Sequence, residues 1–287
     1  MAEANIQSSR KQMRVSRQIW PLAKTYYARA RQAKKEGKPV AWTFGFGTPE
    51  ILHAMGVVPV MPEHYVAVLS AKQKVVDYLQ QMDEQGYPRT ACTYQRAILG
   101  FSLSGDDLLV PEPDFILAVP FCDGTTKAIL PLIEHLKVPY YFLDPPFFPG
   151  RADSDRRNID EDVVEYLRLQ LEEVITFVEE VTGQPRDPVR FLRTFELAQR
   201  CYDLWGEVNE LRRTIPCPMG VVDEAGDVYP MMQMPGLPEA VGVYEMLLAE
   251  VRERVERGEG VIDNERHRLL WLGPAPNYDT SVLNYFE

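Results

Sequence analysis

Two cysteines sit where chemistry is best placed. The stretch Ile116-Leu-Ala-Val-Pro-Phe-Cys122-Asp-Gly-Thr-Thr-Lys127 is an apolar, strand-like run that stops at a proline. A short loop then carries Cys122, Asp123 and Gly124, and a helix is expected from about Thr125. In open α/β sheets, ligands bind at the carboxyl ends of strands. A thiol there also faces the positive end of the next helix, which favours its ionised, metal-binding form. Cys92, in Ala91-Cys92-Thr-Tyr94, falls near another helix start. Together the two are expected to ligate an iron–sulfur cluster. The plainer alternative makes each a small buried hydrophobe. Cys201 lies inside a predicted helix and reads as core. Cys217, between Pro216 and Pro218, could reach a site as a third ligand but reads first as a structural loop residue. No Cys-x-x-Cys occurs, which disfavours a zinc ribbon or a ferredoxin-type cluster. A cubane cluster wants four soft ligands, so they must come from separate loops.

The polar groups near the first strand ends are Glu50, Glu63 and His64, candidate proton donors and acceptors. Their simpler roles are a charge at a helix N-terminus for Glu50 and solvated loop residues for the other two. Asp123, Thr125 and Lys127 stand beside Cys122, to cap and solvate their helix or to orient a ligand. His53 and His135 read as packing or surface residues. There is no Gly-x-Ser-x-Gly elbow, Walker loop or His-Glu-x-x-His, so hydrolase, nucleotide triphosphatase and zinc-protease readings have no support.

These residues need a scaffold, and the chain supplies a βα rhythm. Residues 10–36 read as a helix with a stripe of Ile19, Leu22, Ala23, Tyr26 and Tyr27, kinked or divided at Pro21. Val40–Phe44 reads as a strand, Gly45-Phe-Gly47 as a loop, and Thr48 as the N-cap of a short helix with Pro49 at its first position. That helix closes at Gly56, and 57–61 is a second strand. Strand, loop, helix and strand in that order imply a parallel pair. The loop lacks the third glycine of a dinucleotide fingerprint. A helix is expected over 66–82 and another from Cys92 to Gly100. Residues 114–119, 125–136 and 140–143 form a second strand–helix–strand unit. Two helices fill 158–213, a Pro/Gly/Met-rich linker or lid covers 214–238, and a helix spans 238–257. Arg268–Leu272 then reads as the first strand of another unit, with a helix starting near Thr280.

The fold class expected is α/β. It comprises N-terminal basic helices (1–38), a Rossmann-like, flavodoxin-like parallel-sheet lobe (39–157), a helical segment with linker (158–260) and the start of a second α/β lobe (261–287). That last piece cannot bury its apolar faces alone, so either another chain completes it or the chain is a fragment.

The net charge of −11 is unevenly spread. The first 38 residues carry ten Lys/Arg against two Asp/Glu, so the remainder is strongly acidic. The basic segment reads as a solvated helix face on an acidic body or partner, with a place near ligand phosphates as the alternative. An acidic body repels polyanions, which argues against nucleic-acid binding. No run reaches the roughly 18 apolar residues of a membrane span, and the N-terminus lacks a signal peptide's apolar core. No membrane contact and a cytoplasmic location are therefore expected.

At these same residues the sequence resembles the family of 2-hydroxyacyl-CoA dehydratase and benzoyl-CoA reductase subunits. The matching stretches are Gly37-Lys-Pro-Val-Ala-Trp42, Pro49-Glu-Ile-Leu-His-Ala-Met-Gly-Val-Val-Pro59, Pro62-Glu63-His64-Tyr65, Ala91-Cys92-Thr-Tyr94, Pro113-Asp-Phe-Ile116, Cys122-Asp123 and Leu143-Asp-Pro-Pro146. They cover roughly residues 35–150 in the family's order, and the likeness is looser from 160 onward. The resemblance implies two α/β lobes per subunit and a homologous second subunit. It implies a [4Fe–4S] cluster held by cysteines from three loops. Cys92 and Cys122 match the first two, and the third comes from the second lobe. It also implies that the loop Gly45–Glu50 faces an acyl-CoA thioester through Gly45, Gly47 and Thr48, its one hydroxyl. An ATP-dependent iron–sulfur activator would deliver the electron. The implied chemistry is one-electron reduction of the thioester to a ketyl-type radical. Loss of the 2-hydroxyl would follow in a dehydratase, and reduction of an aromatic acyl group in a reductase. Two other functions compete: an iron–sulfur electron carrier or small-molecule reductase without a CoA site, and a non-catalytic partner subunit.

Overall fold

The computed structural model describes residues 12–145 and 161–286, apart from residues 46, 107 and 263. Pro146 and the segment up to residue 160, together with the first eleven residues, lie outside the described part. In chain order the α-helices and strands are α1 (Ile19–Lys35), β1 (Val40–Phe44), α2 (Pro49–Ala54), β2 (Val58–Val60), α3 (Pro62–Ala71), α4 (Val75–Glu84), α5 (Thr93–Ser104), β3 (Phe115–Ala118), α6 (Asp123–Leu136), β4 (Tyr140–Phe142), α7 (Glu161–Thr182), α8 (Pro188–Leu211), α9 (Val221–Asp227), α10 (Tyr229–Gln233) and α11 (Pro238–Arg257). Two compact units result. One holds Ala30–Val66 and Val76–Phe191; the other holds the described residues up to Arg29, Ala67–Val75 and those from Leu192 onward.

The first unit is built on a four-stranded parallel sheet of order β2-β1-β3-β4. This is the expected Rossmann-like lobe, and the order reverses between β1 and β3, the place where doubly wound sheets bind ligands. The side chains of β1 and β3 alternate between two covered faces, as a buried parallel sheet requires. Ala41, Phe115 and Leu117 pack with Ile51, Leu52 and Met55 of α2 and Val174, Ile175 and Val178 of α7. On the other face Trp42 meets the Phe101 ring edge-on at 6.0 Å, and Tyr65 and Tyr78 close on the same ring. Gln170 on α7 extends the sheet edge: its amide accepts from Asp144 N–H at 2.7 Å and donates to Asp144 C=O at 2.6 Å.

In the second unit Cys201 and Leu204 of α8 and Tyr244 and Leu247 of α11 are fully buried, and the Trp205 and Tyr244 rings join the two helices at 5.3 Å. The Tyr244 hydroxyl donates to Asp227 C=O at 2.8 Å and accepts from Met231 N–H at 3.0 Å. The residues before α1 are held by their backbone: Met13 N–H donates to Asp223, and Arg14 and Val15 N–H to Glu250.

Several local expectations change. Pro21 does not kink a helix, because α1 begins at Ile19 and the proline falls in its first turn. The 66–82 helix is two helices, broken at Gln73, which has φ +56°. Gly100 does not end α5 but lets it approach α4: a Cβ there would lie 2.5 Å from Tyr78 C=O. The helix ends instead at Gly105, in the left-handed conformation. The stretch read as a linker or lid contains α9 and α10 and buries Met219, Tyr229 and Met234. Arg268–Leu272 is not a strand: Leu270 and Leu272 are more than 80% exposed, and a 3₁₀ turn, not an α-helix, follows at Thr280–Tyr285. Three of the described basic residues of the N-terminal segment pair with acidic side chains elsewhere in the chain. Arg14 pairs with Glu250 and Glu253, Arg29 with Glu239, and Lys34 with Asp114.

Candidate functional site at the carboxyl end of the sheet

The ends of β1 and β3 are tied together: Val119 N–H donates to Phe44 C=O at 3.0 Å. Their loops then run in close contact. Gly45, at φ +64°, lies so near the β3 loop that a Cβ would stand 2.5 Å from Val119 C=O and 2.9 Å from Phe121 Cβ. Only glycine meets both demands. Gly47 is less constrained: such a Cβ would stand 3.3 Å from Leu117 C=O.

Cys122 is the N-cap of α6, and Cys92 is the N-cap of α5. Both are exposed free thiols. The Cys122 sulfur accepts from Thr125 N–H at 3.4 Å and lies 3.3 Å from the Thr125 hydroxyl. The two cysteines border one point: a methyl on Gly124 would stand 3.0 Å from Cys92 Cβ and 3.6 Å from Cys122 Sγ. The start of α5 is held by Arg96, almost fully buried, which pairs with Asp83 and donates to Leu79 C=O at 3.0 Å. Cys201 is packed in apolar surroundings that push its thiol up to about 12. The Cys217 thiol donates to Met219 C=O at 3.2 Å, and its backbone N–H donates to Glu265, a structural loop.

Glu63 and His64 are not in a solvated loop but in the first turn of α3. Desolvation raises the Glu63 carboxyl to about 7, opposed by donation from its own N–H, from Gln95 and from Gly45 N–H. Desolvation pulls His64 down to about 3, so its imidazole is neutral at neutral pH. Glu50 is also raised by desolvation, against its own N–H. Gln95, one turn into α5, donates to Thr125 Oγ1 at 3.1 Å and to Glu63 Oε1 at 3.5 Å. It carried no signal in the sequence, since an isolated glutamine has no motif. It joins the Gly45 loop, Glu63, Thr125 and Cys122 in one hydrogen-bonded chain.

Thr48 occupies the N-cap position of α2, but its side chain does not cap. Its backbone is left-handed, with φ +37° and ψ +57°, which strains a β-branched residue. Four buried polar atoms here have no hydrogen-bond partner: Thr48 Oγ1, Glu50 Oε2, Glu63 Oε2 and Gln95 Oε1. Such orphans are rare in folded proteins and call for an explanation. Asp123 and Lys127 are exposed on the first turns of α6.

Two thiols at neighbouring helix starts are a soft donor set and fit two positions of an iron–sulfur cluster. Among the described residues, no group of three or more His, Cys, Asp and Glu is arranged to hold a metal ion. Remaining ligands would have to come from elsewhere. No helix among the described residues is long and apolar enough to cross a membrane.

Comparison with known proteins bears on this geometry. The chain is 25% identical to the (R)-phenyllactyl-CoA dehydratase alpha subunit of Clostridium sporogenes over 86% of its own length and 60% of the relative's. It is 24% identical to the (R)-2-hydroxyisocaproyl-CoA dehydratase alpha subunit of Clostridioides difficile, over 93% and 64% respectively. It is 26% identical to one of the benzoyl-CoA reductase subunits of Thauera aromatica, over 91% and 62%. The chain thus spans less than two thirds of the length of these relatives. The family model described as 2-hydroxyglutaryl-CoA dehydratase, D-component, matches residues 46–287, most of the chain, and the protein belongs to that family.

Proposed function

We propose that this chain is the iron–sulfur subunit of an acyl-CoA-processing enzyme of the 2-hydroxyacyl-CoA dehydratase or benzoyl-CoA reductase type. Cys92 and Cys122 are two of its [4Fe–4S] ligands. The observation that carries this reading is that both thiols, exposed and at helix starts, border Gly124 at the switch point of a parallel sheet. Dehydratase and reductase relatives share the match, so acyl-CoA is the common substrate class. When bound, the cluster supplies single electrons at low potential.

The protein's own residues do the positioning. The Gly45–Thr48 loop lets a thioester approach the backbone closely, and the Thr48 hydroxyl, unpartnered and buried, donates to its carbonyl oxygen. Glu63 carries a proton at Oε2, the oxygen left without a partner. His64 stays neutral beside it. The relatives are each named as one subunit of a larger enzyme, which supports a homologous partner that completes the cluster and the acyl site. An ATP-dependent iron–sulfur activator is the expected electron donor. The enzyme works in the cytoplasm, where thiols stay reduced.

Anaerobic purification together with that partner tests this. The wild-type complex should be brown, with iron and sulfide bound, and Cys122→Ser should bleach it. A wild-type complex that remains colourless after reconstitution with iron and sulfide removes the proposal. An acyl-CoA that leaves a bound cluster's spectrum unchanged would point instead to an electron carrier.

A further inference from the structure

Gln95 has one NH₂ group, and the fold uses both of its hydrogens. One points to Thr125 Oγ1 at 3.1 Å and the other to Glu63 Oε1 at 3.5 Å. The side chain is 5% exposed, so neither bond can be exchanged freely for water. Its carbonyl oxygen is buried without a partner. Thr125, receiving the amide N–H on its oxygen, has its own O–H left to give to Cys122 Sγ, 3.3 Å away.

An ionised carboxylate only accepts, whereas a carboxylic acid also donates. The NH₂ end of Gln95 therefore suits the ionised form of Glu63, and its carbonyl end suits the protonated form. Thr125 accepts the other hydrogen of that NH₂ group and so holds the donor end of Gln95 toward the carboxyl.

We propose that Gln95 is a positioning residue, an amide pinned by Thr125 with its NH₂ group toward Glu63 Oε1, that favours the ionised form of Glu63 and joins that carboxyl through Thr125 to the hydrogen bond on Cys122. The proposal rests on Glu63 being the proton-carrying group of the site. The other titratable groups at this sheet end are Glu50, His64, Cys92, Cys122, Asp123 and Lys127. None of them contributes to the Glu63 shift, which desolvation sets and three N–H donors oppose.

The test is an infrared titration of the full chain, with the protonated-carboxyl band of Glu63 assigned by subtracting Glu63→Gln. Gln95→Leu removes a donor to the charged form and should raise the Glu63 midpoint by about one pKa unit. Thr125→Val does not touch Glu63, yet it unpins the amide and should raise the midpoint in the same direction by a smaller amount. Thr125→Ser, which keeps the hydroxyl, should restore the wild-type value. A Glu63 midpoint unmoved by Thr125→Val overturns the proposal, as does one unmoved by Gln95→Leu. Should Gln95→Leu fail to fold, the two Thr125 variants decide alone. If Glu63→Gln leaves acyl-CoA turnover intact while the infrared shifts appear, Glu63 is not the proton carrier: Gln95 still sets its midpoint, but it positions no catalytic group and that part of the proposal falls.

Discussion

The substitution Gly124→Ala separates a folding role from a ligand-holding role, because the first should not respond and the second should. Gly124 lies in the first turn of α6, where alanine is the better helix former by up to about 1 kcal/mol. The new methyl would meet Cys122 Sγ at 3.6 Å and Gln95 Cγ at 3.7 Å, both ordinary contacts. Cys92 Cβ, at 3.0 Å, must give by several tenths of an ångström. Because Cys92 is exposed, that displacement costs about 1 kcal/mol, the low end of the range for overpacking. The two effects nearly cancel, so the melting temperature should move by no more than about 3 °C. Metal–ligand distances tolerate only about 0.2 Å, so the same displacement carries the Cys92 sulfur out of register with Cys122. Anaerobic reconstitution followed by iron and sulfide analysis, beside a calorimetric scan of the same samples, reads both quantities. The expected result is an unchanged melt with iron content cut by at least half. A variant that binds iron like the wild type would refute the idea that the two cysteines share a cluster at this point.

Thr48→Gly removes a β-branched residue from left-handed backbone, a relief partly offset by the freer unfolded chain, and should stabilise the chain by up to about 1 kcal/mol in urea melts. It should lower acyl-CoA turnover at the same time, because the hydroxyl is lost; a variant neither more stable nor less active would contradict the strain reading. Glu63, raised to about 7 by burial, makes its stabilising contribution when protonated. That contribution is whole below the unfolded carboxyl pKa and is lost as pH rises through about 7, at order 3 kcal/mol in all. Glu63→Gln should therefore flatten the stability profile between pH 5 and 8, and identical wild-type and variant profiles would rule out a buried, raised carboxyl.

The strands and helices that carry the site were legible because their signals are local. Val40–Phe44 is a continuous apolar run, Pro49 starts a helix, and the proline before Cys122 ends a strand, each within a few residues. The cysteines at helix starts follow from that reading. So does the resemblance, whose motifs lie on the same loops. Where a signal was local but ambiguous, packing decided. Gly100 looks like a terminator, yet it is the close contact of α5 with α4. Residues 214–238 have the composition of a linker, yet they bury Met219, Tyr229 and Met234. Leu269, Leu270 and Leu272 look like a strand, but a strand needs a neighbour to hydrogen-bond, and none pairs with them among the described residues.

The sequence by itself determined which side chains are chemically able: two thiols, three proton-bearing groups and a glycine-containing loop. Only the tertiary structure decided that β1 and β3 are neighbours, so that loops some 75 positions apart in the chain meet. It alone buried Glu63 until its carboxyl rose, and set Gln95 between that carboxyl and the Thr125 beside Cys122. Strand order and desolvation arise from contacts between distant segments, and no window of residues contains them.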